Sequence, residues 1–301
     1  MRQLFCLIQA ERYINMIKTR RILLFTLTLI FTGLEIATFY HIHFKPIDIG
    51  FSLHYGSIIL AAAFAWLTLL VDLITMGVKA IFNIRGGNLI RIAMLFTLVA
   101  DYFLVLSDPT PENRLYGVII FLGTQFSVFL HIAINDCSKK ALAVQIIARV
   151  LISVLTVSIT LAVLGDEVNT LAIISVIYYA NLIANVIFAH RSGRGGIVLT
   201  VGLILFALCD INVGLSVLNN LYSGGFAEGS LLYNLLYCKY DLVWIFYLPS
   251  QTIIPLTLLL CNKKNKKRQE ISCPFLFNKS TQHYNAVLIE NGRLAGSKFL
   301  R

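Results

Sequence analysis

Residues 85–101 read RGGNLIRIAMLFTLVAD, a polar turn followed by an apolar segment that ends on Asp101. A second RGG turn, at residues 194–196, also precedes an apolar segment, and in both cases thirteen residues separate the last glycine from an aspartate, Asp101 or Asp210. A carboxylate at the centre of a bilayer is costly, so acids that persist there usually serve a function. The matched pair therefore predicts a membrane fold with a site between two equivalent helices.

The composition of the chain is that of a membrane protein. Of its 301 residues, 57% are hydrophobic and only 13% are charged, and the mean hydropathy is +0.78. Stretches of apolar residues long enough to cross about 30 Å of hydrocarbon occur eight times. They span residues 22–40, 52–76, 89–107, 115–134, 141–164, 170–189, 197–218 and 242–261. We therefore predict an all-α, polytopic membrane protein with eight transmembrane helices.

The charged residues predict how the chain is oriented. Basic residues concentrate in alternate connecting segments: Arg2, Arg12, Lys18, Arg20, Arg21, Lys79, Arg85, Arg91, Lys139, Lys140, Arg191, Arg194 and the cluster at 263–268. The other loops carry acids, among them Asp108, Glu112, Asp166, Glu167 and Glu228. By the positive-inside rule, both termini are expected in the cytoplasm. The formal net charge of +10 is thereby explained by topology, and no nucleic-acid partner is expected.

These patterns divide the chain into three parts. Residues 1–21 are expected to form a cytoplasmic N-terminal segment, residues 22–261 the transmembrane domain, and residues 262–301 a basic cytoplasmic tail. The tail opens with KKNKKR at 263–268, which can attract anionic lipid or simply stop transfer through the membrane. We expect an integral multi-pass protein, in the cell membrane of a bacterium or in the endoplasmic reticulum of a eukaryote.

A second pair of matching stretches predicts an internal repeat. The fourth apolar segment contains FLGTQ at 121–125 and the eighth contains YLPSQ at 247–251, so each reads aromatic, Leu, helix-weakening residue, hydroxyl residue, Gln. A repeat of four spans keeps both halves in the same orientation, with a pseudo-two-fold axis along the membrane normal. We therefore predict two parallel four-helix repeats, at about 22–134 and 141–261, with the two aspartates on either side of a central cavity.

The depth and chemistry of the two acids favour catalysis. Asp101 lies twelve residues after Leu89, about 18 Å along a helix, and Asp210 lies at a similar depth. Two carboxylic acids in a low-dielectric pocket disfavour double ionisation. One can then act as a general acid and the other as a base, which suits hydrolysis of an acid-labile ether. The alternative is that each aspartate only bonds a Ser, Asn or Tyr of a neighbouring helix.

Several other polar residues are candidates for the site or for its surroundings. Gln125 and Gln251 are expected to hydrogen-bond the acids, a water or the substrate. Asn212 is a further candidate for contact with the substrate or for a hydrogen bond between helices. Glu35 and Asp72 are expected to reach interfacial water, and Arg149 to extend toward the membrane surface. His41, His43 and His54 lack the acid or cysteine that a metal site would add, so no metal or other cofactor is predicted.

The chain resembles the YhhN-like membrane proteins, the family that includes the animal lysoplasmalogenases. The resemblance is carried by LFTLVAD at 95–101, GVIIFL at 117–122, LFALCD at 205–210 and FYLPSQ at 246–251. It implies an eight-helix enzyme that hydrolyses the vinyl ether of lysoplasmalogens to a fatty aldehyde and a glycerophospho-alcohol. The implied catalytic residues are Asp101 and Asp210, and the residues expected at the lipid substrate are Gln125, Gln251, Tyr247 and Asn212.

Three positions depart from the pattern of that family. Ala100 stands where the family usually has Gly, Cys209 where it usually has Ser, and Gln125 where a histidine is common. Glutamine cannot titrate, so Gln125 cannot replace a histidine in proton transfer. A non-enzymatic member that binds lipid or transports a small solute is the competing hypothesis, because parallel repeats and acids near the midplane also suit a transporter.

Overall fold

The computed structural model describes residues 2–44, 50–81, 87–108, 110–136, 138–165, 168–221, 226–238 and 240–261. Within these ranges the chain is helical apart from short connections and contains no strand. The α-helices are α1 (Arg2–Phe44), α2 (Gly50–Met76), α3 (Asn88–Asp101), α4 (Pro111–Asp136), α5 (Lys139–Leu164), α6 (Thr170–Ala189), α7 (Gly196–Leu221), α8 (Leu231–Leu236), α9 (Leu242–Leu256) and α10 (Leu258–Cys261).

Among the described residues, eight helical segments are long and apolar enough to cross a membrane, and they occupy the places that hydropathy predicts. Six of them lie within α1, α2 and α4 to α7, the third runs from α3 to Leu106, and the eighth runs through α9 into α10. The prediction of an all-α, polytopic membrane protein is therefore confirmed. The short helix α8 lies in the connection before the last span and is not predicted by hydropathy, because its six residues are too few to cross a bilayer.

The spans pack in a pattern that repeats after four helices. Six of them form a closed cycle in which α2, α3, α4, α6, α7 and α9 each pack on the next and α9 packs back on α2. The remaining two lie outside this cycle: α1 packs on α2 and α9, and α5 packs on α6 and α4. Each of these contacts in one half has a counterpart in the other. This is the arrangement expected of two parallel four-helix repeats.

The buried faces of equivalent helices follow the same register. When Phe121 is aligned with Tyr247, six buried positions of α4 coincide with buried positions of the last span. The pairs are Phe121 with Tyr247, Thr124 with Ser250, Gln125 with Gln251, Val128 with Ile254, His131 with Thr257, and Ile132 with Leu258. A helix buries one stripe of its surface, so the agreement shows that both helices present the same stripe to their neighbours.

The helix that carries the first aspartate changes its winding at that residue. After Asp101, α3 continues as a π-helical segment, Tyr102–Leu106. Single turns of π-helix inside α-helices are frequent at functional sites. The equivalent helix α7 remains α-helical beyond Asp210 as far as Leu221. The two halves therefore share their packing but differ in the backbone next to the acids.

The last glycine of each RGG stretch has a different backbone conformation. Residues 85 and 86 lie outside the described part of the chain, but Gly87 caps α3 with a positive φ of 104°, which favours glycine. Gly196 has a helical φ of −58°. A Cβ atom at this position would lie 2.6 Å from the carbonyl oxygen of His190, so a side chain there would clash with the backbone. The same residue type is thus required for two different reasons.

An ion-pair cluster, which we call the basic-end clamp, joins the first three helices. Asp72 of α2 accepts from Arg20 of α1 at 2.7 Å and from Arg91 of α3 at 3.1 Å. Arg91 also donates to Thr68 Oγ1. Asp72 and Arg91 are both buried. The expectation that Asp72 reaches interfacial water is therefore wrong, because two guanidinium groups enclose its carboxylate.

The terminal parts of the predicted organisation differ from expectation or lie beyond the described residues. The segment 1–21 is not a separate element, since α1 runs unbroken from Arg2 to Phe44. The basic tail at 262–301 and its KKNKKR cluster lie outside the described residues. The division of the transmembrane domain into halves at about 22–134 and 141–261 stays a prediction.

Candidate functional site

The first predicted catalytic acid, Asp101, lies in the interior of the helix bundle. Only 3% of its surface is exposed. The hydroxyl group of Tyr247, on α9, donates a hydrogen bond to its Oδ2 atom. This contact is possible because α3 touches α9 across the cycle of six helices. Tyr247, predicted from the sequence to contact the substrate, thus holds one of the two acids.

The second acid, Asp210, has a similar partner and a more open surface. The hydroxyl of Tyr178, on α6, donates to its Oδ2 atom at 2.6 Å. Tyr178 is itself buried, whereas the side chain of Asp210 is only partly buried. A carboxylate that accepts a phenolic hydrogen bond is fixed in orientation. Both acids are therefore oriented, but solvent or a ligand can approach Asp210 more readily.

The two acids and their tyrosines belong to one cluster in an apolar setting. Tyr247 holds Asp101 and Tyr178 holds Asp210. A series of ring contacts connects the tyrosines: Tyr178 to Phe121 at 5.7 Å, Phe121 to Phe206 at 5.6 Å, and Phe206 to Tyr247 at 5.5 Å between centroids. Such contacts add stability and a fixed geometry.

This arrangement bears on the two interpretations of the aspartates. Each aspartate does bond a tyrosine of another helix, as the purely structural alternative expects. The two tyrosines are also connected through one aromatic cluster, which that alternative does not require. Two oriented carboxyl groups in such a cluster are suited to moving a proton between a ligand and the protein.

Gln125 does not contact either aspartate. It lies one helical turn after Phe121, is almost fully buried, and accepts from Asn185 Nδ2 at 2.8 Å. Asn185 in turn accepts from Arg149 at 2.7 Å through its Oδ1 atom. The prediction that Gln125 hydrogen-bonds the acids is therefore wrong, because the amide is engaged by a separate network between α4, α5 and α6.

Gln251 and Asn212 also lie away from the carboxyl groups. Gln251, one turn after Tyr247, directs Nε2 toward Ser250 Oγ at 3.4 Å, and its Oε1 atom has no partner among the described residues. Asn212 donates to the carbonyl of Leu208 in its own helix at 2.7 Å. Neither side chain bonds an acid, and their contact with a substrate stays a prediction.

Three residues of the surroundings were missed or misjudged from the sequence. Tyr178 is absent from the predicted site residues, and the signal for it in the sequence is a pair of adjacent tyrosines in a predominantly apolar span. Glu35 is buried and accepts from Ser57 at 2.6 Å, so it does not reach interfacial water. Arg149 is also buried and does not extend to the membrane surface. Helix packing, which hydropathy does not specify, decides all three.

Within the described ranges, no three His, Cys, Asp or Glu side chains come together as a metal site requires. The chain was also compared with known proteins. No protein-family model, curated protein or solved structure matches it.

Proposed function

We propose that this protein hydrolyses the vinyl ether bond of lysoplasmalogens, with Asp101 and Asp210 as the catalytic acids. The observation that carries the proposal is that carboxyl groups on α3 and α7 are each oriented by a tyrosine hydroxyl, and that ring contacts connect the two tyrosines. The substrate class comes from the resemblance to YhhN-like proteins. A lipid substrate also suits a site that lies inside membrane-spanning helices.

The reaction needs one proton donor, one proton acceptor and water. A neutral aspartic acid donates its proton to the vinyl carbon farther from the ether oxygen, and the C=C electrons form the new C–H bond. The resulting oxocarbenium ion takes up water at the other vinyl carbon, and a carboxylate accepts the proton that the water releases. The carboxyl group that took the proton of the water gives it to the glyceryl oxygen as the hemiacetal breaks its bond to that oxygen. The hemiacetal hydroxyl returns its proton to the first carboxylate, and the products are the aldehyde and the glycerophospho-alcohol. The two carboxyl groups end as they began.

Exposure assigns the two roles. Water must reach the group that accepts its proton, so we assign the base to Asp210, whose surface is partly open. Asp101, enclosed by the bundle, is assigned as the proton donor to carbon. The faces of Phe121 and Phe206 lie in the same cluster. Aromatic faces attract cations, so these rings can stabilise the oxocarbenium ion.

The proposal is tested with purified full-length protein and two matched lipids. One is a lysoplasmalogen, and the other is its saturated alkyl-ether counterpart, which has no C=C bond to protonate. Release of aldehyde from the first and not from the second supports the proposal. Release from neither, by protein that is folded and monodisperse, contradicts it.

The runner-up function is binding or transport of a lipid or small solute without hydrolysis. The repeated packing of the two halves favours it, because many transporters are built from such repeats. Uptake of a solute into vesicles that contain the protein, with dependence on both aspartates and no aldehyde released, would support this second function.

Orientation and location complete the proposal. We place both termini in the cytoplasm on the basis of the alternating basic and acidic segments. The membrane is that of the cell in a bacterium and of the endoplasmic reticulum in a eukaryote, and the basic tail contacts anionic lipid there. Labelling of single cysteines in the tail from outside intact cells or sealed vesicles would contradict this orientation.

A further inference from the structure

Arg149 is a buried cation without a carboxylate partner among the described residues. It lies on α5, a peripheral helix whose buried residues are Ala141, Gln145 and Arg149. Its Nη atoms donate to Asn181 and Asn185, and its guanidinium lies 4.3 Å from the centre of the Phe129 ring. All of these partners are neutral. Its Nε atom is buried and has no acceptor in the described part of the chain.

Arg91, the other arginine that is buried among the described residues, has a carboxylate partner. Arg91 forms an ion pair with Asp72 at 3.1 Å. A buried charge without a counter-ion is strongly unfavourable, and within a membrane such charges mark ligand or ion pathways. The acid at the end of α4, Asp136, contacts Gln145 at 3.4 Å rather than Arg149. The described residues therefore leave the charge of Arg149 uncompensated.

Gln125 adds a second unused donor beside Arg149. Guanidinium groups only donate, so the Asn185 atom bonded to Arg149 must be its oxygen, and the Asn185 amide nitrogen must face Gln125. Gln125 therefore accepts through Oε1 and presents Nε2 elsewhere. That atom is buried and has no partner among the described residues. Two unused donors, one of them charged, thus flank the same asparagine.

The position of these donors fits the polar part of a lipid bound at the aspartates. Asn181 and Asn185 follow Tyr178 by three and seven residues on α6, which is about 4.5 to 10 Å along a helix. The displacement is toward the end of α6 that leads into the basic turn at residues 191–194. In a lysoplasmalogen, a three-carbon glyceryl unit separates the vinyl ether from the phosphate, a distance of this order.

We propose that Arg149 and Gln125 form an anion site that binds the phosphate of the lipid whose vinyl ether lies at Asp101 and Asp210. The inference rests on the proposed function for the identity of the lipid. Arg149 Nε and Gln125 Nε2 each donate to a phosphate oxygen, and the phosphate supplies the missing negative charge. Charge-assisted hydrogen bonds of this kind are the stronger ones in proteins.

The test measures binding of lipids that cannot be hydrolysed, so that it is independent of catalysis. Full-length protein is titrated with a saturated alkyl-ether lysophosphocholine, with the matched alkylglycerol that lacks the phosphate, and with inorganic phosphate. The variants are Arg149→Gln, Arg149→Lys and Gln125→Met. The matched control is Arg191→Gln, which removes an exposed arginine that also lies over a phenylalanine ring, at 5.5 Å.

We expect wild-type protein to bind the lysophosphocholine more tightly than the alkylglycerol. Arg149→Gln should weaken binding of the lysophosphocholine roughly tenfold to a hundredfold and leave the alkylglycerol unchanged. Arg149→Lys should retain part of the preference, and Arg191→Gln should behave as wild type. Equal affinity of wild-type protein for the two lipids overturns the proposal, as does a preference that survives in Arg149→Gln.

Further outcomes separate the remaining cases. If Arg149→Gln does not fold, Gln125→Met decides: selective weakening of lysophosphocholine binding supports the site, and an equal effect on both lipids overturns it. Inorganic phosphate bound through Arg149, without binding of the lysophosphocholine, overturns the assignment to lipid. Lipid binding that depends on Arg149 without any aldehyde release refutes the proposed function alone. Aldehyde release with lipid binding independent of Arg149 refutes this inference alone.

Discussion

The two halves of the transmembrane domain have the same packing but differ in the partners of their buried arginines. In the first half, Arg91 is neutralised by Asp72, which also binds Arg20. In the second half, the partners of Arg149 among the described residues are amide oxygens and an aromatic ring. The first arrangement is complete without a ligand, whereas the second leaves two donors unused.

The acids show a similar difference between the halves. Asp101 is enclosed and is held by Tyr247, which belongs to the other half. Asp210 is partly open and is held by Tyr178, which belongs to its own half. The residue of α4 equivalent to Tyr247 is Phe121, which has no hydroxyl to offer Asp210. The two acids therefore differ in exposure and in which half supplies the tyrosine that holds them.

The largest effect is expected from removing either acid. Asp101→Asn and Asp210→Asn preserve the shape of the side chain but remove the group that gives or accepts a proton. Each should lower the rate of aldehyde release by about 10² to 10⁴. Steady-state assays of purified variants measure this, with Asp108→Asn, an exposed acid outside the site, as the control. A variant of either acid that keeps wild-type turnover contradicts the assignment.

The second-largest effect is a loss of folding stability. It distinguishes Arg91, which has a carboxylate partner, from Arg149, which has neutral partners among the described residues. Asp72→Ala leaves Arg91 buried without its partner, and breaking a buried ion pair in this way costs about 3–5 kcal/mol. Arg149→Gln removes a charge that has no carboxylate partner, so its loss should be much smaller. Thermal or detergent-induced unfolding of the two variants measures the difference. Equal loss of stability in the two variants would contradict this difference between the basic-end clamp and the hydrogen bonds of Arg149.

A smaller effect is expected from the tyrosines that orient the acids. Tyr247→Phe and Tyr178→Phe each remove one hydrogen bond to a carboxyl group, and a loss of roughly tenfold to a hundredfold in kcat is expected, with KM little changed. Tyr247→Phe should be the more severe, because no water can replace the hydroxyl at enclosed Asp101. Tyr179→Phe, a neighbour without a hydrogen bond to either acid, is the control. A greater loss from Tyr179→Phe would contradict these positioning roles.

The smallest effect is expected from introducing the histidine that the YhhN-like family commonly has. In Gln125→His, one ring nitrogen can accept from Asn185 and the other can donate, so activity should stay within a few-fold of wild type. Gln125→Leu, which cannot accept, should be less stable because Asn185 loses a buried partner. Unfolding of Gln125→His would show that the network tolerates only an amide.

Hydropathy predicts the spans correctly because it depends on properties of single segments, whereas the catalytic role of the two acids stays a prediction. Apolar length decides whether a helix can cross a membrane, and the matched spacing places Asp101 and Asp210 on equivalent helices. The residues that hold the acids depend instead on how each helix rotates against its neighbours. Tyr178 is therefore found only in the structure, and Gln125 bonds Asn185 where a bond to the acids was expected.

The same distinction explains the errors at the charged residues. Glu35 and Asp72 lie near the ends of their helices, where the sequence alone favours contact with water. Each is enclosed by a partner on another helix, Ser57 in one case and two arginines in the other. The position of a residue along its helix does not specify which side chain of another helix covers it.

The most direct test of the central claim is to run the reaction of a lysoplasmalogen in heavy water and analyse the aldehyde. Protonation of the vinyl carbon by Asp101 predicts that about one deuterium is incorporated at the carbon next to the aldehyde group. Asp101→Asn and Asp210→Asn protein should form almost no labelled product. Unlabelled aldehyde from wild-type protein, or labelled aldehyde formed equally fast by both variants, would contradict hydrolysis by this pair of acids.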